Sequence, residues 1–385
     1  MSKGGSSGVA TALSIPPLNS FTVKKLEIME IPRYVVFGPK AVSEIAKVCS
    51  ALGLGRRVAI VCGGEKTTKI AEEEVRPVLE KENFDIAVLP IGSGYPTVSK
   101  IVEIEKAVKS LKIEVVLAVG GGRTIDVAKL AATWAGVPYI SVPTSAANDG
   151  ISSPTISFLL KMDIREKLGR EYTKAKAPIA IVADTKIISR APPETVAAGC
   201  GDMLAKFVAV RDWRLAYKLR GEDFSEYAAS VALMSAELIV KKADYIKRGL
   251  EESTRLLVKA LIGSGVAISI AGSSRPASGS EHLFSHALDL LSRKYGFKPA
   301  PHGMQCGVGA IMMMWLHGGD WIMIRETLRK VGAPTCAEEL GIEPKYVIEA
   351  LTIAHKIRPE RYTILGEKGL SREAAIRMAR ETEVI

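Results

Sequence analysis

The stretch Val115–Lys129, VVLAVGGGRTIDVAK, decides the fold of this chain. Apolar residues run from Val115 to Val119, three glycines follow, and helix-favouring residues continue from Arg123. This order predicts a buried parallel strand, a tight turn and the start of a helix. Glycines let the backbone approach a bound group, and the free N–H groups of a helix N-terminus favour an anion such as a dinucleotide pyrophosphate. The spacing is GGGxxxD rather than GxGxxG, so the usual dinucleotide motif does not apply.

Composition indicates a soluble, two-domain protein. The chain has 385 residues, of which 47% are hydrophobic, and this is enough for two sizeable cores. The net charge of +10 is spread along the chain without a basic arm or zinc-finger spacing, so we interpret it as general surface charge and expect no nucleic-acid partner. Five cysteines without a CxxC pair argue against a disulfide framework and favour a reducing cytoplasm.

The N-terminal region and the apolar runs give no targeting signal. Residues 1–24 are rich in Gly, Ser and Pro without periodicity, so we predict a mobile N-terminal extension and no signal peptide. The longest apolar run, Leu261–Gly272, is too short to cross a bilayer, so we expect no transmembrane segment. Gln305 is the only glutamine and asparagines number three, a scarcity of heat-labile amides that is typical of thermophiles.

The two halves of the chain have different periodicity. Short β-branched runs alternate with helical stretches from Arg33 to Asp184, and afterwards apolar residues recur at helical spacing. We predict a doubly wound, parallel α/β nucleotide-binding domain over residues 25–190 and an all-α domain over residues 191–385, with a ligand cleft between them. The predicted strands are Tyr34–Phe37, Val58–Cys62, Ile86–Leu89, Val115–Val119, Tyr139–Val142, Thr155–Leu160 and Ile179–Val182.

A second loop of interest is Ser141–Pro154, SVPTSAANDGISSP. It follows the strand after the glycine turn, so both loops are expected at the same end of the sheet. Asp149 lies between Asn148 and Gly150, where it either binds a substrate hydroxyl or forms an Asx turn. Composition alone favours an ordinary polar loop, whereas the position favours a ligand site.

A third motif is GCGDMLAK at residues 199–206. Asp202 stands at the predicted start of an apolar helix, where an aspartate is most often an N-cap. Lys206 is four residues further on and shares a helix face with Asp202. It either pairs with that carboxylate or meets an anion.

Three of the five histidines, His282, His286 and His302, occur close together in the sequence. The first two are spaced i,i+4, so they lie on one face of a helix, as in many zinc sites. A lone histidine is most often structural, but three in one window favour a metal site. We interpret His317 and His355 as structural.

The candidate ligands define the kind of metal centre. One carboxylate and two imidazoles with an open position form a catalytic rather than a structural arrangement, and they suit zinc or iron better than magnesium. Cys306 is four residues after His302, and Cys200 is two before Asp202. We expect neither thiol to bind the metal, because a soft fourth ligand would close the site.

With these motifs assembled, the chain resembles the glycerol dehydrogenase and iron-containing alcohol dehydrogenase superfamily, whose fold is dehydroquinate synthase-like. Within it the chain is most similar to the archaeal sn-glycerol-1-phosphate dehydrogenases. The resemblance extends over nearly everything from about residue 30 onward. It rests on GGGRTIDVAK (120–129), VPTSAANDGISSP (142–154), GCGDMLAK (199–206), GSEHLFSHALD (279–289) and PHGMQCGVG (301–309).

The resemblance implies a zinc ion bound by Asp202, His282 and His302, at an active site between the two domains. It implies that His286 faces the substrate rather than the metal. The iron-dependent branch has a histidine four residues after the aspartate, but this chain has Lys206, whose ammonium group cannot be a ligand. Three protein ligands therefore remain, as in the zinc branch.

The resemblance also implies the residues that meet the cofactor and the substrate. The implied catalytic residues are Asp149, which contacts the substrate, Asp202 and His286. The implied contacts of the nicotinamide cofactor are Gly120, Gly121, Gly122, Arg123, Thr124, Ile125, Asp126, Thr144, Ser145, Ala146, Ala147 and Ser153.

The implied reaction is the zinc-dependent reduction of dihydroxyacetone phosphate to sn-glycerol 1-phosphate, the first committed step of archaeal ether phospholipid backbone synthesis. Hydride transfer places negative charge on the ketone oxygen, which a zinc ion stabilises, and His286 is a candidate proton relay. After the second strand, Glu65 suits the ribose of NAD while Lys66 and Lys69 suit the phosphate of NADP, so the residues leave the choice open. The resemblance implies a family that commonly accepts both, and we predict use of both cofactors. Weak candidates for the substrate phosphate are Lys206, Arg275, Ser278 and Ser280.

Three other functions compete with this one. A glycerol dehydrogenase would share the fold and the metal but act on the unphosphorylated polyol. A 3-dehydroquinate synthase-like lyase is disfavoured by Asp202, because its first metal ligand is a glutamate. A basic metal-binding protein that contacts nucleic acid would bind with steep salt dependence. We expect a cytoplasmic homo-oligomer whose subunit number the sequence does not give.

Overall fold

The computed structural model describes residues 28–247 and 249–385, so the predicted mobile extension, residues 1–24, lies outside the described residues. Within this part of the chain, six strands form one fully parallel sheet in the order β1-β6-β5-β4-β2-β3. The strands are β1 (Tyr34–Gly38), β2 (Arg57–Cys62), β3 (Asp85–Pro90), β4 (Val115–Gly120), β5 (Tyr139–Pro143) and β6 (Ala180–Asp184). The predicted doubly wound parallel sheet is therefore confirmed.

Helices cover both faces of the sheet. The central strand β4 is buried along its whole length, with Val116 and Ala118 in one hydrophobic core and Val115, Leu117 and Val119 in another. A strand buried on both faces is continuously apolar, and this explains why the run is so clear in the sequence. The helices that flank the sheet are α1 (Ile45–Ala51), α2 (Glu65–Ile70), α3 (Arg76–Lys81), α4 (Val98–Ser110), α5 (Gly122–Ala135), α6 (Phe158–Lys167) and α7 (Thr185–Ser189).

The strand order places a crevice between β2 and β4. The chain leaves β2 toward the edge strand β3, returns to the other side of β2 as β4, and then continues to β5. The loops after β2 and β4 therefore run in opposite directions. In parallel sheets, ligands bind at such a reversal, beyond the carboxyl ends of the strands.

One predicted strand, Thr155–Leu160, is wrong. Helix α6 begins at Phe158, and the residues before it do not join the sheet. Their backbone groups are bonded to side chains instead: Thr155 O accepts from Lys129 Nζ at 2.6 Å, and Ser157 N–H donates to Asp126 Oδ2 at 2.9 Å. Tertiary contacts therefore override the β-branched pattern.

Among the described residues, every strand ends by Asp184, and helices form the regular structure of the rest. The Pro192-Pro193-Glu194 helix start is confirmed at α8. Helix α11 (Glu251–Ala271) is long and apolar enough to cross a membrane by length and composition, but 67% of its apolar window is buried inside the protein. The other helices are α8 (Glu194–Leu204), α9 (Lys206–Arg220), α10 (Glu226–Lys242), α12 (Ser280–Tyr295), α13 (His302–Leu316), α14 (Trp321–Lys330), α15 (Ala337–Leu340), α16 (Pro344–Ile357) and α17 (Arg372–Glu381).

Candidate active site

The glycine turn joins β4 to α5 at the crevice. Gly121 is the N-cap of α5, and Gly120 O accepts a hydrogen bond from Thr144 N–H of the next loop at 3.0 Å. A Cβ atom at Gly120 would lie 2.5 Å from the Thr124 side chain, and one at Gly121 would lie 3.0 Å from Ser145 Oγ. The glycines are required by this close packing, which leaves the N-terminus of α5 beside the loop after β5.

The predicted cofactor residues lie at the ends of β4 and β5, but not all of their side chains are accessible. Ile125 is completely buried in the core. Asp126 is buried and bonded to Ser157, and Ser153 is buried with its hydroxyl 2.6 Å from Thr155 Oγ1. The residues that are at least partly exposed are Gly121, Gly122, Arg123, Ser145 and Ala147.

The loop after β2 reaches the same crevice. Glu65 is the first residue of α2, and a Cβ atom at the preceding Gly63 would lie 2.7 Å from Thr124 Oγ1 on α5. Lys66 and Lys69 follow in the same helix, and Lys69 Nζ is 3.8 Å from Glu73 Oε1. Glu65, predicted for the ribose of NAD, and Lys66 and Lys69, predicted for the phosphate of NADP, therefore all belong to the helix that starts next to the glycine turn.

Asp202 is not an N-cap, so that interpretation of the sequence is wrong. It lies near the C-terminal end of α8, and the chain bends at Ala205 before α9 starts. Its side chain is almost completely buried, and Oδ2 accepts a hydrogen bond from Asp149 N–H at 3.1 Å. A buried carboxylate is costly unless it is paired, so its surroundings must supply positive charge or a metal.

Glycines bring α8 against its neighbours and so place Asp202. A Cβ atom at Gly201 would lie 2.2 Å from Gly303 O, and one at Gly303 would lie 1.9 Å from Ala198 O. A Cβ atom at Gly199 would lie 2.2 Å from Ala146 O, in the loop after β5. These close approaches explain the glycines in the GCGD and PHG motifs, because the glycines allow α8 to contact both α13 and the loop after β5.

The three histidines of the sequence window converge beside Asp202. His282 Nε2 is 3.6 Å from Asp202 Oδ1. The ring centroids of His282 and His302 are 5.0 Å apart, and those of His286 and His302 are 5.7 Å apart. His282 and His286 lie on α12 and His302 is the first residue of α13, so residues far apart in the chain form one cluster.

Glu281 is a site residue that the sequence reasoning missed. It is completely buried, and its Oε1 accepts hydrogen bonds from Gly279 N–H at 2.8 Å and from His282 Nδ1 at 2.7 Å. A carboxylate on one ring nitrogen fixes the imidazole with the other nitrogen free, as in carboxylate–histidine–metal arrangements. The available signal was a glutamate directly before the first histidine.

The donor set fits a metal such as zinc. Asp202 Oδ1 and His282 Nε2 face each other, and His302 Nδ1 is 3.0 Å from Ser285 Oγ. Cys306 Sγ is 3.5 Å from His302 Nε2, and atoms of His282, His302 and Cys306 lie within 4.8 Å of one another. The structure therefore places Cys306 nearer the cluster than the sequence suggested.

A buried ammonium group links the two aspartates of the site. Lys206 is completely buried, and its Nζ is 3.0 Å from Asp202 Oδ1 and 3.0 Å from Asp149 Oδ2. Asp149 Oδ2 also accepts a hydrogen bond from Ser264 Oγ at 2.7 Å. Burial opposes the charge of Lys206, but the two carboxylates outweigh it and raise its pKa. Burial likewise opposes the charge of Asp202, yet Lys206 and His282 outweigh it and lower the pKa of that carboxyl.

His286 is the histidine of the cluster that lacks a hydrogen-bond partner. Its Nδ1 is buried and has no partner among the described residues. Its ring stacks on Phe158, the first residue of α6, with centroids 4.2 Å apart and an interplanar angle of 11°. Burial lowers the pKa of His286 well below its usual value, and the charges of His302, His282, Arg358 and Arg361 lower it further. An orphaned buried nitrogen in a cleft is a candidate for ligand contact.

Most of the weak candidates for a substrate anion are already engaged. Lys206 bridges the aspartates, and Arg275 is buried with Nε 2.6 Å from Glu222 Oε1 and Nη1 2.8 Å from Tyr362 O. Ser280 Oγ donates to Asp212 Oδ2 at 2.6 Å. An anion at this site needs other partners.

The fold is that of a known class. Residues 36–192 match the family described as iron-containing alcohol dehydrogenase. The solved structure of glycerol dehydrogenase from Schizosaccharomyces pombe is similar with a TM-score of 0.72 at 19% identity, and the match covers 93% of this chain and 91% of that chain. A similarity at this level of identity shows the shared fold.

Curated relatives define the family more narrowly. Glycerol-1-phosphate dehydrogenase (NAD(P)+) from Methanothermobacter thermautotrophicus is 50% identical over 357 residues, which cover 93% of this chain and 99% of the relative. The protein of the same name from Pyrococcus furiosus is 50% identical over 361 residues, which cover 94% and 100%. The chain belongs to the glycerol-1-phosphate dehydrogenase family, as the resemblance of its motifs predicts.

Proposed function

We infer that this protein is an NAD(P)-dependent glycerol-1-phosphate dehydrogenase, an oxidoreductase that reduces dihydroxyacetone phosphate to glycerol 1-phosphate. The observation that carries the proposal is the convergence of Asp202, His282 and His302, from three helices, beside a nucleotide-binding crevice. Relatives that are 50% identical over nearly the whole chain are named glycerol-1-phosphate dehydrogenase, and this supports the proposed substrate. The finer proposals are a zinc ion, the sn-1 product and a place in archaeal ether-lipid synthesis.

The metal proposal rests on donors held in place by the protein. Asp202, His282 and His302 would hold zinc, with Glu281 fixing the ring of His282. When bound, zinc would polarise the ketone and stabilise the negative charge that develops on its oxygen. Lys206 keeps Asp202 ionised and fixes Asp149 beside it.

The cofactor would lie across the glycine turn, with its pyrophosphate at the N-terminus of α5 and its nicotinamide toward the histidines. When bound, reduced nicotinamide supplies the hydride. We propose contacts from residues 120–126, 144–147 and 153, and the buried side chains of Ile125 and Asp126 would act by shaping the turn. Glu65, Lys66 and Lys69 at the start of α2 support use of both NAD and NADP.

The remaining polar groups would handle the substrate. His286, whose Nδ1 has no partner among the described residues, would contact the substrate oxygen and relay a proton from solvent to it as the ketone is reduced. Asp149 would orient a substrate hydroxyl, because Lys206 and Ser264 share its Oδ2, while its Oδ1 has no hydrogen bond within the described structure. Phe158 would exclude water from one side of His286.

The decisive experiment follows NADH and NADPH oxidation with dihydroxyacetone phosphate, before and after removal of metal by a chelator, with chiral analysis of the product. We expect metal-dependent activity, restoration by zinc and the sn-1 ester. Equal turnover of unphosphorylated dihydroxyacetone would favour glycerol dehydrogenase instead. Undiminished activity in thoroughly metal-stripped protein would contradict the metal centre.

The two-domain division at about residue 190, the cytoplasmic location and the homo-oligomer stay proposals. The change from strands to helices after Asp184 supports the division. Apolar side chains exposed at and before the edge strand β1, including Ile31, Tyr34 and Val35, support association of subunits. Size-exclusion chromatography with light scattering would test the association.

A further inference from the structure

We propose that Lys161 and Arg361, assisted by Arg358, form the subsite for the phosphate of the substrate; this inference rests on the proposed function and names the group that would distinguish the phosphate ester from the free polyol. The three residues are called the basic cluster below. They come from α6 and from the segment after α16, and none belongs to the five sequence motifs.

The position of the cluster follows from its links to His286. Lys161 is three residues after Phe158 on α6, so it lies one turn from the ring that stacks on His286. An ion pair between Arg293 of α12 and Asp163 of α6, at 2.9 Å and 3.1 Å, holds the two helices together. Lys161 is therefore fixed beside the helix that carries His282 and His286.

Arg361 reaches the site through the loop that precedes α12. Its Nη1 donates to Ser278 O, and its Nη2 donates to Ser274 Oγ at 2.9 Å. The neighbouring Ala277 O accepts from Lys206 Nζ at 3.2 Å, so this loop connects Arg361 to the aspartates. The charges of Arg358 and Arg361 act on both His286 and Lys161, so the three basic residues lie near one another beside His286.

The cluster has an excess of positive charge. Within the described residues, the side chain of Lys161 has no hydrogen bond or ion pair, and buried Arg361 is hydrogen-bonded to neutral oxygens rather than to a carboxylate. Glu222 and Glu281 act on the charge of Arg361 from a greater distance, but Glu222 is paired with Arg275 and Glu281 with His282, and Glu360 pairs with Arg358 at 3.1 Å. A buried charge without a counter-charge is costly, and a bound dianion would supply one.

The chemistry of the substrate fits this position. In dihydroxyacetone phosphate a single CH2–O link separates the phosphorus from the reacting carbonyl carbon, so the phosphate must lie close to the groups that act on the carbonyl. Arginine and lysine are the usual phosphate partners, one through its planar fork and the other as a point charge. The other basic residues at the site, Lys129, Lys206 and Arg275, are bonded to protein groups.

The test compares Lys161→Met with Lys167→Met, an exposed lysine of the same helix that has no ion pair in the described part of the chain. Methionine keeps the apolar stem and removes the charge. We expect the KM for dihydroxyacetone phosphate, and the inhibition constant of inorganic phosphate, to rise about tenfold or more in Lys161→Met with kcat little changed. The KM for dihydroxyacetone should change less than about twofold, and Lys167→Met should match the wild type.

Arginine at the same position provides a second variant. Lys161→Arg should recover most of the affinity for dihydroxyacetone phosphate, because it restores the charge. Parallel increases in KM for both substrates, or no change for the phosphate ester, would overturn the subsite while leaving the proposed function intact. A wild-type protein that fails to reduce dihydroxyacetone phosphate would instead overturn the proposed function.

Discussion

Two lysines with completely buried side chains lie on the two sides of the loop that carries Asp149, and they have different partners. On the metal side, Lys206 bridges Asp149 and Asp202, each at 3.0 Å. On the cofactor side, Lys129 Nζ donates to Gly150 O at 3.1 Å and to Thr155 O at 2.6 Å, and Asp126 Oδ1 is 3.9 Å away. Carboxylates surround the first ammonium, and mainly carbonyls surround the second.

The two lysines are equally buried, but their pKa values shift in opposite directions because their partners differ. The two carboxylates outweigh burial and raise the pKa of Lys206. Burial lowers the pKa of Lys129, and Asp126 and Asp149 offset it only in part. The side of the proposed metal site therefore holds paired charges, whereas the side of the proposed cofactor site uses an ammonium to fix the course of the backbone.

The largest effect is expected for Lys206→Met. The substitution leaves two buried carboxylates without their counter-charge, so we expect metal-free protein to lose about 3–5 kcal/mol of unfolding free energy at pH 7. Urea denaturation after chelation measures the loss. Lys218→Met, an exposed lysine on the same helix, is the control and should change stability by less than about 0.5 kcal/mol.

The pH dependence of this loss has a definite sign. In the wild type the pKa of Lys206 is raised. Its contribution to stability is therefore complete below the pKa of an ordinary ammonium group and is lost only as pH rises through its pKa in the folded protein. The pKa of Asp202 is lowered, so its contribution to stability is complete above the pKa of an ordinary carboxyl group and is lost as pH falls through its pKa in the folded protein. The pair therefore stabilises the protein between about pH 4 and pH 10. Lys206→Met should recover stability on acidification, and a pH-independent deficit would contradict this account.

Glu281→Gln tests the other carboxylate on the metal side. The amide keeps the shape but weakens the hold on His282 Nδ1, so we expect about 10–100-fold lower zinc affinity with the fold retained. Competition against a chromophoric chelator measures the affinity. Glu166→Gln, at an exposed position on α6, should bind zinc like the wild type. Unchanged affinity in Glu281→Gln would show that Glu281 does not support a ligand.

A third lysine extends the comparison, because the ammonium of Lys161 has no hydrogen bond and no ion pair in the described structure. Burial, together with the charges of Arg358, Arg361, Arg165 and Arg170, lowers its pKa to about 8. Phosphate esters are already dianions above about pH 6. We therefore expect kcat/KM for dihydroxyacetone phosphate to fall above pH 8, as Lys161 loses its proton, and to level off once the loss matches that of Lys161→Met, about tenfold or more.

Two comparisons isolate Lys161 from other groups that titrate in this range. Lys161→Arg should move the fall to higher pH, because arginine stays charged. Reduction of dihydroxyacetone, which has no phosphate, should lack the fall. A fall of equal size with both substrates would assign it to a group other than Lys161.

The fold could be predicted from the sequence because its signals are local. The apolar run of β4 and the glycines after it are contiguous, and burial on both faces leaves no polar residue to blur the strand. The one wrong strand, Thr155–Leu160, failed because side chains from α5 bind its backbone. No pattern within those residues shows that Lys129 and Asp126 are near.

The site was predicted less completely, because it is formed by contacts between distant parts of the chain. The proposed metal ligands rest on spacing and family resemblance, but the N-cap interpretation of Asp202 failed because α8 already begins at Glu194, eight residues before it. Glu281 is marked only by its place directly before His282, and the basic cluster lies outside the five motifs, since these roles arise only when distant helices meet. Residues that support or surround a site are thus the hardest to read from sequence.

The smallest effect is expected for Lys129→Met, and it decides whether the comparison of the two lysines holds. The substitution leaves the carbonyls of Gly150 and Thr155 without their donor, which destabilises, but it also removes a buried charge whose pKa is already lowered, which stabilises. We expect a net loss of about 1–2 kcal/mol in urea denaturation. NAD(P) affinity should weaken, because Asp126 and the loop at residues 150–155 lose a shared anchor, while zinc affinity stays unchanged. A loss as large as that of Lys206→Met would show that partner chemistry does not govern these buried ammonium groups.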